Sequence, residues 1–213
     1  MEGQQPPTRS VKIPDDERGG WSSDRPRRDG APPRPPSLSV RCRVLTPSDQ
    51  VRYSPGSLLV IVCPSAAERD RFTEDLIDNR AALLSLDKVR ALLAGRVEEE
   101  ELAERATEIL DAAVLKRLES NETVVLAAEG LGADERERYV RMAAGFKRPR
   151  HLIMLDTSRE SVQEEDRTAL NDLRSRLDAG ELGAEGFQTA LRLGGESLTE
   201  IKRIVFQRPP RDD

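Results

Sequence analysis

Aromatic residues make up only 3% of this 213-residue chain, and histidine occurs once, as His151. The core must therefore be built from Leu, Val, Ile and Ala. Only two cysteines occur, Cys42 and Cys63, which excludes a disulfide framework and a four-cysteine zinc site. One histidine leaves no histidine metal cluster and no Ser/His/Asp triad with a recognisable partner motif. No metal site is expected. Neither a G-x-S-x-G elbow nor a G-x-G-x-x-G fingerprint is present. No apolar run approaches the roughly 18 residues of a membrane span, and Met1–Pro7 lacks the apolar stretch of a secretory signal. A cytoplasmic protein without membrane contact is the expectation. The net charge of −5 argues against generic polyanion binding but leaves room for a local basic site.

What is present divides near residue 38. Residues 1–38 hold eight prolines, four glycines, seven Arg/Lys and six Asp/Glu. Such a composition buries too little apolar surface to offset chain entropy, so it reads as a disordered Pro/Arg-rich tail. Pro32-Pro33-Arg34-Pro35-Pro36 favours polyproline II, which suits either a spacer or a ligand for an SH3-like groove. Trp21 is the only large apolar anchor of the tail.

Residues 39–213 read as one domain. Ser39–Leu45 alternates like an edge strand, and the Thr46-Pro47-Ser48-Asp49 turn predicts that Gln50–Tyr53 pairs back on it. Ser57–Cys63 is a continuous apolar run, as in a strand buried on both faces of a parallel sheet. Helical sequence follows through Arg80, then a short strand over Ala82–Ser85 and a helix beginning near Asp87. Glu98–Glu119 predicts a long helix with Leu102, Ala106, Ile109, Leu110 and Ala113 on one face. Its acidic start suits a helix N-terminus. Thr123–Ala128 and His151–Leu155 are two further buried strands, bracketing a helix over Ala133–Ala144. After Asp156 come one or two helices, with the spaced glycines 180, 183 and 186 at helix ends and a turn. Ile201–Phe206 is the last strand. Alternating strands and helices predict a doubly wound, mostly parallel α/β sheet with ligand sites at the strands' carboxyl ends.

The turn after the first buried strand carries the functional argument. Gly56-Ser57-Leu58-Leu59-Val60-Ile61-Val62-Cys63-Pro64-Ser65 and Phe72 resemble the P-loop kinases of the polynucleotide-kinase type, and the order of elements over about 56–206 agrees. Where that family reads G-P-S-G-S-G-K-S-T-F, this chain reads Cys63-Pro64-Ser65-Ala66-Ala67-Glu68-Arg69-Asp70-Arg71-Phe72. A phosphate cradle needs glycines so that backbone N–H groups can face the phosphate oxygens, and no glycine occurs between Gly56 and Gly95. Glu68 adds a negative charge. Arg69 keeps the lysine's charge, though its planar fork is not an equivalent donor. Asp70 replaces the hydroxyl that holds magnesium. The resemblance makes Ser65 and Arg69 the nucleotide-binding candidates, with ATP and magnesium as cofactors if the domain is active and none if it is not. Cys63 reads as a small buried hydrophobe.

Ser85-Leu86-Asp87-Lys88-Val89-Arg90 is similar to the family's S-x-D-x-x-R. The resemblance implies that Asp87 accepts the proton of the attacking hydroxyl and Arg90 grips a substrate phosphate. At i and i+3 the two share a helix face. Equally, Asp87 reads as a helix N-cap and Arg90 as a solvated helix residue. The family's D-A-T-N is replaced by Ala127-Ala128-Glu129-Gly130, with Ala127 in the Asp's place, which brings Glu129 to a strand end two places beyond a direct match. Arg159, Arg167, Arg174 and Arg176 are candidates for lid arginines or for surface ion pairs.

Three functions remain open at this point. One is a catalytically degenerate kinase-like domain, a pseudokinase serving as a binding or regulatory module, whose partner is a protein or a nucleic-acid end. Another is an active ATP-dependent polynucleotide 5′-hydroxyl kinase or related phosphotransferase with an atypical loop. The last is an α/β protein of other activity that shares only the architecture.

Overall fold

In the centre of the sheet, Leu58–Val62 forms a strand whose side chains are all fully buried, with Leu58, Val60 and Val62 facing one core and Leu59 and Ile61 the other. The same two-residue period divides Val124, Leu126 from Val125, Ala127 and Leu152, Met154 from Ile153, Leu155. A run that is apolar at every position is thus two interleaved faces, as a sheet covered on both sides requires. The computed structural model describes residues 38–157 and 162–208. The tail reading for 1–38 and the candidate Arg159 fall outside the described residues, apart from Leu38.

The elements are β1 (Arg43–Leu45), β2 (Gln50–Tyr53), β3 (Leu58–Val62), α1 (Ala66–Leu76), β4 (Leu83–Ser85), α2 (Leu86–Leu93), α3 (Glu99–Glu119), β5 (Val124–Ala127), α4 (Ala133–Gly145), β6 (Arg150–Asp156), α5 (Asp166–Asp178), β7 (Thr189–Gly194), α6 (Glu196–Glu200) and β8 (Arg203–Phe206). Six strands form a parallel sheet in the order β1-β7-β6-β3-β5-β4. The α/β, mostly parallel architecture read from the sequence is the architecture observed. Helices α2, α3, α4 and α5 bury Val89, Leu110, Val140 and Leu173 against one face. The other face is covered by Phe72 of α1 together with a separate parallel ribbon, β2–β8, which contributes Val51, Tyr53 and Ile204. Among the described residues no helix is long and apolar enough to cross a membrane.

Four expectations are corrected. β1 and β2 do not form a hairpin: β1 pairs in parallel with β7, and β2 in parallel with β8, across more than a hundred residues of chain. The turn signal at Thr46–Asp49 is real, but it hands the chain from the main sheet to the ribbon. β7 was expected to be helix or loop; it is the sheet strand between β6 and β1. In α3 the buried positions are Ala106, Leu110, Val114 and Leu118, whereas Ile109 is exposed. Finally, Ser85 and not Asp87 is the N-cap of α2: the Ser85 hydroxyl accepts from Lys88 N at 3.2 Å, and Asp87 already lies inside the first turn.

His151, expected to open a buried strand, is buried as the second residue of β6, which begins at Arg150. Its ring stacks on Tyr53 with centroids 4.4 Å apart, and Nδ1 lies 2.8 Å from Thr189 Oγ1. Burial, aided by the Arg150 charge, pulls its pKa down to about 4.

Candidate functional site

The chain leaves β3 on one side towards β4 and β5 and on the other towards β6 and β7. A doubly wound sheet forms its crevice at the carboxyl ends of strands where the order reverses in this way. Two charged clusters lie at those ends.

The first joins β3, β4 and β5. Only Cys63, Pro64 and Ser65 separate β3 from α1, so Ala66, Ala67 and Glu68 are wound into the helix's first turn. Ser65 caps that turn, its hydroxyl accepting from Glu68 N at 3.3 Å and its carbonyl from Arg69 N at 3.0 Å. The Arg69 side chain is 1% exposed. It donates to Asp70 Oδ1 (3.0 and 2.9 Å), to Asp87 Oδ2 (3.0 Å) and to the Ala128 carbonyl (2.6 Å). Burial would lower its pKa, but the hydrogen bonds and charges of Asp70 and Asp87 outweigh this and hold it above the ordinary arginine value. Asp87 also lies 3.6 Å from Arg90 Nη1 through its other oxygen. Arg90 in turn makes a two-point pair with Glu129, which raises its pKa. Charges therefore alternate along Arg69, Asp87, Arg90 and Glu129 across three strand ends. The amides of Glu129 and Gly130 donate to the Glu135 carboxylate at 3.2–3.3 Å, which pins the end of β5 to α4.

Of the residues singled out by sequence, the structure brings Arg69, Asp87, Arg90 and Glu129 into this one network, while Ser65 stands beside it as a helix cap. Cys63 is buried, and burial raises its thiol pKa to about 11, which keeps it in the unreactive thiol form.

The second cluster lies at the ends of β6 and β7, and the sequence reading did not find it. Asp156 accepts from Arg174 on one carboxylate oxygen and from Arg192 on the other, with Nε contacts of 2.9 Å in both cases. Arg192 also reaches Asp178 at 2.9 Å. Gly194 follows directly because a Cβ there would come within 2.8 Å of the Asp156 Cβ. These groups border an open cavity of about 810 Å³ that Thr157, Gly195 and Ser197 also line. Thr157 is 8% exposed, and its hydroxyl meets no hydrogen-bond partner among the described residues. Arg174 was among the candidate lid arginines; at 16% exposure it is no surface residue. Arg176 pairs with the buried Glu185, which also holds Arg136, and Arg167 pairs with Glu164 at the surface. No group of three or more His, Cys, Asp or Glu among the described residues is placed to hold a metal ion.

Residues 58–182 match the family model described as AAA domain, a span running from β3 to the short helical turn after α5. The chain belongs to the AAA-domain family. That match bears out the P-loop kinase-like resemblance, and it contains all three strand ends that build the first cluster. No curated protein matches the sequence. Among solved structures, a chain of a structure described as "Structure of Pnkp1/Rnl/Hen1 complex" aligns at 12% identity with a TM-score of 0.36, covering 76% of this chain and 82% of that one. A likeness at that level adds nothing to the functional assignment.

Proposed function

We propose that this P-loop kinase-like domain neither binds nor turns over ATP and works as a binding or regulatory module. The observation that carries this reading is Arg69. At the position of the family's phosphate-binding lysine stands a cation that is buried, turned inward, and neutralised by Asp70 and by Asp87, the residue in the proton acceptor's place. Withdrawing that guanidinium would break two ion pairs and leave the buried Ala128 carbonyl without its donor. Magnesium and a nucleoside triphosphate do not fit the residues present. Ala66–Glu68 are helical, one amide of that turn is spent on Ser65, and Glu68 and Asp70 would add negative charge beside the phosphates. The pseudokinase reading and the failure of the phosphate loop rest on the same facts.

The second reading is an active polynucleotide 5′-hydroxyl kinase. One observation favours it: Asp87 and Arg90 are 50% and 33% exposed at the crevice, so an incoming hydroxyl and phosphate could reach both. Incubating the full chain with γ-labelled ATP, magnesium and a 5′-hydroxyl oligonucleotide separates the readings. No label should enter the oligonucleotide. Transfer that Asp87→Asn abolishes would establish the second reading.

A further inference from the structure

Arginines at the strand ends are neutralised; those on the ribbon meet no carboxylate among the described residues. The segments 38–56 and 201–208 hold six Arg/Lys (41, 43, 52, 202, 203 and 208) and a single acidic residue, Asp49, in a chain whose net charge is −5. On the β2–β8 ribbon the register sets Gln50 beside Arg203, with Arg52 two residues further along the same face. Both guanidiniums converge on one neutral acceptor, Gln50 Oε1, at 3.5 Å from Arg52 and 3.3 Å from Arg203. Salt bridges to described carboxylates hold Arg69, Arg90, Arg174 and Arg192, whereas no described carboxylate lies within 4.0 Å of Arg52, Lys202 or Arg203. All three are exposed.

We propose that the outer face of the β2–β8 ribbon docks the sugar-phosphate backbone of a nucleic acid. Two like charges held together at an amide oxygen repel each other, and an anion between them removes that repulsion while releasing bound counterions. Arginine's planar fork matches phosphate oxygens in a way that a bare ammonium does not. Of the ribbon's apolar side chains, Val51, Tyr53, Ile204 and Val205 are buried and Phe206 is half-buried against the core, so it lacks the exposed apolar anchor on which a protein interface is centred. Contacts to phosphates need no such anchor. This inference concerns a different face from the Arg69 cluster and holds whether or not the domain transfers phosphate.

Fluorescence anisotropy of the full chain with a labelled single-stranded oligonucleotide, from about 25 to about 200 mM salt, tests it. The unmodified protein should bind, with affinity falling as salt rises. R52A/R203A should bind roughly tenfold more weakly at low salt, with a log–log salt slope shallower by about 1.4, as two lost phosphate contacts require. R52K/R203K should keep most of the affinity, and R105A/R141A, which removes two ion-paired arginines on helices, should change nothing. Because the substituted side chains are exposed, melting curves of R52A/R203A and the unmodified protein should superimpose. The tail is the same in every variant and cannot produce the difference. The proposal is overturned if the unmodified protein does not bind, or if R52A/R203A binds equally well. It is equally overturned if poly-glutamate displaces the oligonucleotide as effectively as unlabelled DNA, which would make the partner an acidic polypeptide.

Discussion

The two clusters at the sheet's carboxyl edge are mirror images in charge. At β3–β5 one buried arginine is held between two half-exposed carboxylates; at β6–β7 one carboxylate, 15% exposed, is held between two arginines beside an open cavity. In the first the central cation is sealed from solvent while both of its carboxylate partners stay half exposed. The second borders a cavity wall where the Thr157 hydroxyl meets no partner among the described residues. The same residue types thus enclose a cation in one place and border an open cavity in the other. Which of the two ions lies inside decides the outcome.

The largest effect should come from the centre of the second cluster. Asp156→Ala leaves Arg174 and Arg192 without their shared carboxylate, and Arg174 is 16% exposed. Leaving a largely buried guanidinium without its carboxylate, while Arg192 keeps Asp178, costs about 3 kcal/mol, to be read from urea unfolding. A loss below about 1 kcal/mol would mean that the pair is solvated and that the mirror comparison fails.

The opposite end of β6 should respond to acid. His151 has a folded-state pKa depressed to about 4 from the usual 6.5. As pH falls below 6.5 the unfolded chain takes up a proton that the folded one refuses, so stability is full above that value and is lost down to about 4. The total is about 3 kcal/mol, from 1.36 kcal/mol per pKa unit. His151→Asn should be less stable at neutral pH, since it gives up the stacking on Tyr53, but should lack this limb of the pH profile. An identical limb in both proteins would assign it to carboxylates instead.

Arg69→Met removes the buried cation of the first cluster. Asp70 and Asp87 are each about half exposed and can rehydrate, so the cost should be smaller than for Asp156→Ala, about 2 kcal/mol. Equal costs for the two variants would show that burial of the central ion does not distinguish the clusters. Smallest of all, Arg90→Ala removes a partly exposed pair with Glu129 and should cost about 0.5 kcal/mol in thermal or urea unfolding.

The buried strands β3, β5 and β6 were legible because uninterrupted apolar runs have one explanation in an alternating α/β chain. β7 was not, since Arg192 interrupts Thr189–Gly194 and the strand's worth lies in Ala190, Leu191 and Leu193 meeting residues far away in sequence. The β1–β2 hairpin failed for a related reason: a turn signal is local, and the true partners β7 and β8 are not. At the site, Asp87, Arg90 and Arg69 were each visible from a motif. Their mutual pairing was not, because it depends on how β3 and β4 place the starts of α1 and α2. Ser85 took the cap assigned to Asp87, which frees the carboxylate to reach Arg69. Asp156 has no signature at all until Arg192 is known to end beside it.

The central claim is that Arg69 closes the nucleotide site, and titration calorimetry with ATP and magnesium tests it most directly. The account predicts no binding heat for the unmodified chain, and none for Arg69→Lys, because the turn at Ala66–Glu68 stays helical whatever cation follows it. Micromolar affinity in the unmodified protein would contradict it. Binding that appears in Arg69→Lys alone would contradict the part of the claim that rests on the backbone.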